Sequence, residues 1–427
     1  MNNVKIAVIG LGYVGLPLAF LFARRYRVVG FDVNRHRVKE LMEGYDSTET
    51  FTEDEMFRVL RNGLECTADE GLLDSCNIYI VAVPTPVDSQ HRVDLAPLLS
   101  ASEVVGRHIS KGGIVIYEST VYPGATEEDC VPVIEQVSGL RYNVDFFAGY
   151  SPERINPGDR EHTIEKIKKV TSGSTPEVAD FVDNLYNSVL ENGTHRASSI
   201  RVAEASKIVE NCQRDVSIAF VNEIDHIFNA MGINTRDVLA AAGTKWNFIH
   251  LEPGLVGGHC IGVDPYYLIQ KARMFDEPAT LLTAARSIND SMGQYVAGQL
   301  IKLMDRAGIA PKHSRILVLG FTFKECCNDI RNTKVIDIIR ELERYTDHVE
   351  VADPYAIPYM VKAEYGVDII SDLTLTASRQ YDAILLCVKH TEFASLPIKT
   401  MLAPDGILCD FKGFYRELYE EAFYHEI

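Results

Sequence analysis

The glycine spacing of "VKIAVIGLGYVGLP", residues 4–17, constrains the fold more than any other feature of the chain. Gly10, Gly12 and Gly15 follow an apolar β-type run and precede a helical pattern, and a second strand-like run, "YRVVGFD", ends at Asp32. In a β-α-β unit such glycines permit a tight turn, a close approach of the backbone to a pyrophosphate and close helix packing. The helix N-terminus adds N–H donors and a positive dipole. The pattern predicts a Rossmann-type domain that binds a dinucleotide.

The acid at the end of the second strand favours one nicotinamide cofactor over the other. The Asp32 carboxylate can accept hydrogen bonds from a ribose diol and would repel a 2′-phosphate, so the sequence favours NAD over NADP. Arg35 and Arg37 are close enough in sequence to keep NADP open. The uncharged stretch 6–23 could also pass for a signal sequence or a membrane span, but its glycines assign it to the dinucleotide turn.

Three hydroxyl residues follow later strand-like runs. "NIYIVAVPTP" (77–86) and "GIVIYESTVYPG" (113–124) each end in small polar residues and prolines. Ligands of α/β proteins bind at the carboxyl ends of parallel strands, so Thr85, Ser119 and Thr120 are candidate cofactor contacts. Turn or helix-cap chemistry explains the same residues equally well.

A proline-bracketed loop, "SPERINPG", carries Glu153 and Arg154. Prolines restrict the backbone, so this loop can hold charged side chains in place. The sequence leaves open whether these side chains serve a substrate or only a surface ion pair.

Residues 194–231 contain no glycine or proline and are bracketed by glycines, which predicts one long helix or two nearly continuous ones. Lys207, Asn211 and Arg214 project from one face of it. A solvated polar stripe is the ordinary explanation. Apolar residues around much of the helix favour burial instead, and a buried lysine is costly unless it has a role.

A second α/β pattern begins at "SRILVLGFTFKE" and continues through "HVEVADP", "YDAILLCVKH" and "GILCDFKG". It lacks the three-glycine fingerprint, so its crevice is expected to hold something other than a second dinucleotide. Lys324, Arg331, Lys334 and Lys412 lie at or just after its strand ends and could bind an anionic ligand. Scattered surface lysines are the alternative, and that explanation is preferred for Lys334.

Charge and cysteine content exclude several classes of protein. The formal net charge of −18 argues against a nucleic-acid or anionic-membrane partner, so an anionic small ligand requires a local basic cluster. Nine cysteines without a C-x-x-C pair predict neither a disulfide framework nor a zinc site. A reducing cytoplasm and no bound metal are expected.

The stretch "GLVGGHCIGVDP", residues 254–265, surrounds one cysteine with glycines and places an acid four residues later. Glycines cost backbone entropy unless something must come close to the chain. Taken alone, the stretch fits a loop around a buried, inert thiol, because free cysteine is among the most buried residue types.

Six motifs together resemble the UDP-glucose/GDP-mannose dehydrogenase family over essentially the whole chain. They are "GLGYVGLP", "STVYPG", "SPERINPG", "AEASKIVENCQRD", "GLVGGHCIGVDPYYL" and "GFTFKECCNDIRNTK". The resemblance implies two Rossmann-like parallel-sheet α/β domains joined by a long central helix and a helical dimerisation region. The expected divisions are an NAD-binding domain (1–193), a dimerising helical domain (194–310) and a UDP-sugar-binding domain (311–427), in a homodimer.

The resemblance also implies a reaction. A primary alcohol at sugar C6 is oxidised to a carboxylate with two NAD⁺ and one water, as a step toward a bacterial-type surface polysaccharide. The family's cysteine corresponds to Cys260. Glucose-specific members usually carry Phe-Pro-Lys-Asp after it, whereas this chain has Ile261, Gly262, Val263 and Asp264. That departure resembles the branch that acts on UDP-N-acetylhexosamines.

The chemistry explains why a cysteine is needed. An aldehyde carbon has no alkoxide to expel a second hydride, so a Cys260 thiolate would first add to it, giving a thiohemiacetal and then a thioester for water to cleave. Asp264 would hold a water or take the alcohol proton, and Lys207 and Asn211 would stabilise the oxyanion. The resemblance implies that Glu153 and Thr120 serve the hydrolytic water.

The remaining expected contacts fall into two sets. The cofactor set is Gly10, Gly12, Tyr13, Val14, Gly15, Asp32, Arg37, Thr85, Ser119, Thr120 and Arg331. The substrate set is Glu153, Arg154, Ile155, Lys207, Asn211, Arg214, His250, Gly257, Lys324 and Lys412.

Two rival functions share part of the pattern. A single-hydride NAD dehydrogenase of the 3-hydroxyacid type also joins a Rossmann domain to a long helix bearing a lysine and an asparagine, but it needs neither Cys260 nor a second α/β domain. A catalytically silent NAD or nucleotide-sugar binding protein would keep the glycines and could lose Cys260 and Lys207. Both residues are present.

Overall fold

A computed structural model describes residues 4–48, 50–88, 91–154 and 163–427. The chain divides into two compact units, one of Met1–Glu210 with Tyr266–Pro278 and the other of Asn211–Pro265 with Ala279–Ile427. Each unit is built on one sheet. The predicted division into three domains at residues 193 and 310 stays a prediction.

The first unit contains a sheet with the strand order of dinucleotide-binding folds. Its strands among the described residues are β1 (Lys5–Ile9), β2 (Arg27–Phe31), β3 (Leu64–Thr67), β4 (Ile78–Val81), β5 (Ile114–Tyr117), β6 (Phe147–Tyr150), β7 (Lys169–Gly173) and β8 (Thr194–Arg196). They run in the order β3-β2-β1-β4-β5-β6-β7-β8. The first six are parallel, in the arrangement 3-2-1-4-5-6, and β7 adds antiparallel to β6.

Helices cover this first sheet and supply its core. They are α1 (Gly15–Ala23), α2 (Arg35–Met42), α3 (Glu53–Asn62), α4 (Ala96–His108), α5 (Val131–Ser138) and α6 (Pro176–Asn187). Every residue of α1 is buried, which explains its uncharged sequence. It packs in one apolar cluster with Ile6 and Val8 of β1 and with Tyr186 of α6.

The long helix α7 spans Ile200–Met231 and is continuous, with 32 residues. It begins later than the predicted residue 194 because 194–196 instead form β8, which pairs with β7. Two shorter helices follow, α8 (Thr235–Ala242) and α9 (Asp264–Arg273). In the part of the chain that the structure describes, no helix combines the length and the apolarity needed to cross a membrane.

The second unit repeats the strand order of the first. Its strands in the described chain are β9 (Ile316–Leu319), β10 (Val349–Ala352), β11 (Ile369–Ile370), β12 (Tyr381–Leu386), β13 (Leu402–Asp410) and β14 (Tyr424–Glu426), and its further helices are α10 (Thr280–Arg306), α11 (Val335–Leu342), α12 (Pro358–Tyr365), α13 (Leu373–Ala377) and α14 (Ile398–Met401). The order β11-β10-β9-β12-β13-β14 is all parallel. The predicted fold class, two Rossmann-like sheets and a long helix, is confirmed.

Candidate active site

The turn after β1 has the geometry that a dinucleotide needs. Gly10 has a φ of +94°, a conformation that side chains rarely adopt. A Cβ on Gly15 would lie 1.8 Å from the carbonyl oxygen of Gly10, so only glycine lets α1 start this close to the strand. A Cβ on Gly12 would meet nothing within 4 Å, which leaves open space beside the N-terminus of α1. Tyr13 and Val14, between the last two glycines, are half-buried.

The predicted ribose acid is oriented by backbone donors. The Asp32 carboxylate accepts the Leu11 N–H on one oxygen and the Asn34 N–H on the other, both at 2.8 Å, and remains half-buried. Oxygens in this state retain lone pairs for a ribose diol. The turn and its acid therefore fit NAD, whose pyrophosphate would be held by Gly12 and the N-terminus of α1.

Arg37, predicted to contact the cofactor, is buried and engaged within the protein. Its Nε donates to the Leu11 carbonyl at 3.1 Å, and its other nitrogens donate to Asp46 at 2.7 Å and Ser47 at 2.9 Å. Burial alone would raise the pKa of Asp46, but Thr48 and Arg37 lower it overall. Arg37 thus supports the glycine turn. Because its guanidinium is engaged within the protein, it is not available to bind a 2′-phosphate, which favours NAD over NADP.

The hydroxyls at the ends of β4 and β5 connect the two strand ends to each other. Ser119 donates to the Val83 carbonyl and Thr85 donates to the Thr120 carbonyl, each at 2.7 Å. Tyr267 in turn donates to the Thr85 carbonyl. The structure thus shows the turn chemistry that the sequence left as one alternative. Each hydroxyl still has lone pairs that can accept from a cofactor.

The proline-bracketed loop holds one buried and one partly exposed charge. Glu153 is buried, with 9% of its surface exposed. Arg154 pairs with Glu210 of α7 at 2.7 Å and donates to the Lys168 carbonyl at 2.7 Å, so an ion pair is part of its role. The predicted substrate contact Ile155 lies outside the described residues.

On α7, Lys207 is buried and lies one turn after a second buried charge, Glu204. The Glu204 carboxylate accepts the N–H of Gly124 at 2.5 Å and of Thr126 at 2.9 Å, which ties the helix to the turn that follows Thr120. Burial raises the pKa of Glu204 to about 7. Glu204 was not predicted from the sequence, although its i, i+3 spacing from Lys207 puts both on one helix face.

In the second unit the cysteine segment leads directly into α9. The carbonyl of Cys260 accepts the N–H of Val263 at 3.0 Å and of Asp264 at 2.8 Å. Asp264 is buried and its carboxylate accepts the side-chain amide of Asn211, while Cys260 itself is partly exposed. Three predicted catalytic residues, Asn211, Cys260 and Asp264, are therefore linked within this unit.

The glycines before Cys260 are required by packing. A Cβ on Gly257 would lie 2.7 Å from the Asn332 carbonyl oxygen and 3.3 Å from Phe323. Gly258 has a φ of +79°, and a Cβ there would lie 3.0 Å from the Phe323 ring. The segment therefore runs close against the chain that follows β9, a constraint that the sequence alone did not reveal.

A basic pocket opens at the carboxyl ends of β9 and β12. It is lined by Leu255, Gly257, Thr322, Phe323, Lys324, Glu325, Thr333, Lys334, Val335, Cys387, Val388 and Lys412. Burial lowers the pKa of Lys412, and the nearby charges of Lys389 and Arg236 lower it further. A half-buried cation of this kind favours an anionic ligand such as a diphosphate. Three of the predicted ligand residues, Gly257, Lys324 and Lys412, meet here, and Lys334 joins them.

Three other predicted contacts of the second unit do not line this pocket. Arg331 forms a two-point ion pair with Asp329, at 2.8 and 2.6 Å. Arg214 is exposed on α7. His250 is exposed and packs edge-on against Phe248, with ring centroids 5.6 Å apart.

The pKa of His259, the residue before Cys260, depends on the ion pair between Arg331 and Asp329. Burial lowers the pKa of His259 to about 4, and the charge of Arg331 adds to that effect. Asp329 lies 3.9 Å from its ring and opposes the shift. His259 is therefore neutral at physiological pH. Among the described residues, no three His, Cys, Asp or Glu side chains are grouped to hold a metal ion.

Comparisons with known proteins agree with these features. Three models of one family match in order: its NAD binding domain (residues 4–190), central domain (201–291) and UDP binding domain (317–417). The chain is 53% identical over 415 residues to a UDP-N-acetyl-D-glucosamine 6-dehydrogenase of Pseudomonas aeruginosa, covering 96% of this chain and 97% of that one. It is 50% identical over 396 residues to the enzyme of the same name from Salmonella typhi, covering 93% and 92%.

A solved structure shows the same fold over the full length. A UDP-D-ManNAc dehydrogenase from Pyrococcus horikoshii aligns with a TM-score of 0.89 at 30% identity and covers 99% of both chains. The family models together match most of the chain, and two relatives are 50% or more identical to it over more than nine-tenths of its length. The chain belongs to the UDP-glucose/GDP-mannose dehydrogenase family, whose members are NAD-dependent enzymes.

Proposed function

We propose that this enzyme oxidises the C6 hydroxymethyl group of a UDP-N-acetylhexosamine to a carboxylate, with UDP-N-acetyl-D-glucosamine as the preferred sugar. The observation that carries the proposal is the hydrogen bond from the Asn211 amide on α7 to the Asp264 carboxylate. Asp264 in turn donates its N–H to the carbonyl of Cys260. The names of the two relatives at 53% and 50% identity favour the gluco epimer. The Ile261-Gly262-Val263 sequence after the cysteine supports an N-acetylated sugar.

The cysteine accounts for the second oxidation. Bound NAD supplies a hydride acceptor at its nicotinamide ring. The Cys260 sulfur adds to the aldehyde carbon while the aldehyde oxygen takes up a proton, which restores a carbon that can lose a second hydride. Transfer of that hydride to the bound acceptor, together with loss of the hydroxyl proton, gives a thioester. Attack by water on the thioester then breaks the C–S bond and releases the carboxylate with the free thiol.

We assign proton transfer and charge stabilisation to the other predicted catalytic residues. Asp264 accepts from Asn211, so its carboxylate has a defined orientation in which to hold water or take the alcohol proton. Lys207 and Asn211 are donors to the developing oxyanion, a class of contact worth roughly 3–4 kcal/mol per donor. Thr120 and Glu153 serve the hydrolytic water. In the second unit, Lys324 and Lys412 bind the diphosphate.

The number of NADH formed per sugar tests the proposal against its one-hydride rival. With UDP-GlcNAc, UDP-GalNAc, UDP-ManNAc and UDP-glucose as substrates, we expect two NADH per sugar and the highest kcat/KM with UDP-GlcNAc. A single-hydride dehydrogenase would form one NADH. Equal or better turnover of UDP-glucose would contradict the N-acetylated assignment.

Substitution of the cysteine tests the covalent step. Cys260→Ser should abolish turnover, retain binding of NAD⁺ and UDP-sugar, and accumulate a sugar ester at residue 260 that intact mass spectrometry detects, because an alkoxide leaves far less readily than a thiolate. Cys260→Ala should show no adduct. Uronic acid formation by Cys260→Ala at near wild-type rate would overturn the mechanism.

Four further features complete the proposal. The α7 helix exposes Phe220, Ile227 and Met231 at spacings of one heptad and one turn, and this apolar face supports a homodimer through the central helices. The enzyme acts in the cytoplasm, where nicotinamide cofactors and reduced cysteines are available. The product enters a surface polysaccharide such as a capsule. The enzyme has three domains, 1–193, 194–310 and 311–427.

A further inference from the structure

A charged pair lies buried beneath the strand ends of the first unit. The Lys169 ammonium, at the start of β7, donates to the Glu118 carboxylate at 2.6 Å, and 1% and 0% of the two side chains are exposed. The Tyr186 hydroxyl of α6 donates to the other oxygen of Glu118. Because removal of two charges from water costs several kcal/mol per ion, such a pair is weak evidence for stability and calls for another explanation.

The position of the pair suggests that explanation. Lys169 also donates to the Pro152 carbonyl at 3.1 Å, and Pro152 directly precedes Glu153. Glu118 directly precedes the Ser119–Thr120 segment. The buried lysine therefore connects the backbone that carries Glu153 to the strand end that carries Thr120.

Two further observations place the same segments close together. The Tyr150 hydroxyl donates to the Ser119 carbonyl at 3.1 Å, which adds a second link between the ends of β5 and β6. Burial raises the pKa of Glu118. Hydrogen bonds from Lys169 and Tyr186 oppose that rise, and the negative charge of Glu153 adds to it. The two carboxylates are therefore near enough to interact electrostatically.

We propose that Lys169, Glu118 and Tyr186 form a buried brace that positions Glu153 relative to Thr120 for the step in which water cleaves the Cys260 thioester. The brace residues are positioning residues and do not touch the sugar. This proposal rests on the proposed function, since it assigns the brace to the hydrolytic half of that reaction.

The test replaces both charges together, so that neither is left unpaired in the interior. E118Q/K169M retains a hydrogen-bond acceptor for Tyr186 and the apolar stem at residue 169, but it loses the link to Pro152. Neutral replacement of a buried ion pair is often tolerated, so the variant is expected to fold. We expect kcat to fall about a hundredfold, as a misplacement of about 1 Å does, with KM for NAD⁺ and for the UDP-sugar within about twofold.

The distinctive readout is the covalent intermediate. In E118Q/K169M the first turnover should release two NADH per active site and leave a thioester at Cys260 that intact mass spectrometry detects. Tyr186→Phe, which removes one hydrogen bond and keeps the ion pair, should show the same adduct with about a tenfold fall in kcat. The control Lys111→Met removes an exposed ion pair with Asp145 in the same unit and should leave kcat unchanged.

The outcomes separate this proposal from the proposed function. Two NADH per sugar in the wild type, together with wild-type kcat or no adduct in both brace variants, would overturn the brace alone. One NADH per sugar in the wild type would overturn the proposed function and the brace with it. A fall in thermal stability with unchanged kcat in Tyr186→Phe would also overturn the brace, because it would show a merely structural role.

Discussion

The two sheets share one turn geometry and differ in what that turn leaves open. At the end of β1, Gly10 has a φ of +94° and donates its N–H to the last residue of β2 at 2.8 Å; at the end of β9, Gly320 has a φ of +91° and donates to the last residue of β10 at 2.8 Å. In each turn an aspartate accepts the next N–H, Asp32 at 2.8 Å and Asp353 at 2.6 Å. The backbone frame is therefore the same.

The difference lies in glycines and in a histidine. In the first turn α1 begins at Gly15, whereas in the second no helix begins before Val335. Asp353 is fully buried, and His390 donates to it from Nε2 at 3.0 Å. The His390 ring is the Nε2–H tautomer, because its Nδ1 accepts the N–H of Cys326 at 3.1 Å. One strand order thus gives a dinucleotide site when the acid stays accessible and a different pocket when protein groups cover it.

The largest expected effect follows from adding one methyl group to the first turn. In Gly15→Ala the new Cβ would lie 1.8 Å from a backbone oxygen, so α1 must move away from β1. We expect a loss of about 3 kcal/mol or more and at least a hundredfold weaker NAD⁺ binding, measured by calorimetric titration and thermal unfolding. Glu325→Ala, at the corresponding position of the second turn, should leave NAD⁺ binding unchanged.

Gly298→Ala is the control for this pair of variants. Gly298 lies within α10, and a Cβ there meets nothing within 4 Å, so the substitution should raise stability by roughly 0.5–1 kcal/mol. Equal losses of NAD⁺ affinity in Gly15→Ala and Glu325→Ala would show that the two turns are not distinguished in this way.

Exchange of each aspartate for asparagine should separate binding from stability. Asp353→Asn removes a charge that four backbone N–H groups and His390 satisfy in the interior, and we expect a loss of about 3 kcal/mol in urea unfolding. Asp32→Asn should cost about tenfold in KM for NAD⁺ and little stability, because that acid is half-buried. If Asp353→Asn raised KM for NAD⁺ and left the free energy of unfolding unchanged, the contrast between the two aspartates would be wrong.

Substitutions in the basic pocket of the second unit should affect KM for the UDP-sugar and not KM for NAD⁺. Lys412→Met should raise KM for the UDP-sugar by up to about a hundredfold, and Lys324→Ala by less, with KM for NAD⁺ within about twofold. Burial lowers the pKa of Lys412, so in the wild type KM for the UDP-sugar should rise as the pH rises through that lowered value, and Lys412→Met should lack this dependence. Lys362→Met, which removes an exposed ion pair with Asp368, is the control.

If Lys324→Ala changed only KM for NAD⁺, the assignment of this pocket to the UDP-sugar would be wrong. The sequence suggested that Lys334 is an ordinary surface lysine. The structure places Lys334 in the lining of the pocket, with its ammonium 3.1 Å from Asp290 and 3.2 Å from Asp337.

Sequence patterns predicted the fold because local signals repeat along it. Each strand-like run of the sequence forms a strand, and the glycines around Gly10 identified the turn without any long-range information. The start of α7 was wrong because 194–196 join a sheet, and no local pattern distinguishes a three-residue edge strand from a helix start.

The sites were less predictable because their contacts join distant parts of the chain. Glu118 and Lys169 are separated by 51 residues, and neither belongs to a motif that would pair them. Gly257 was predicted as a substrate contact, but the sequence did not reveal that a side chain there would also meet Phe323 and Asn332 of a later turn. Side chains whose partners are set by packing require the structure.

The smallest expected effect compares two buried carboxylates with opposite pH dependence. His390 and backbone N–H groups outweigh burial and lower the pKa of Asp353, so its contribution to stability is present above pH 3.8 and lost as the pH falls through the lower folded-state value. The pKa of Glu204 is near its ordinary value of 4.5 in the unfolded chain and rises to about 7 in the folded protein, because burial outweighs its two N–H donors. Its contribution is therefore fully present below pH 4.5 and lost as the pH rises through 7. Relative to Glu204→Gln, the wild type should lose roughly 2 kcal/mol between pH 5.5 and 8 in urea unfolding. Glu127→Gln, which removes a charge that raises the pKa of Glu204, should shift this loss to lower pH, whereas parallel pH profiles for all three proteins would show that Glu204 does not titrate in this range.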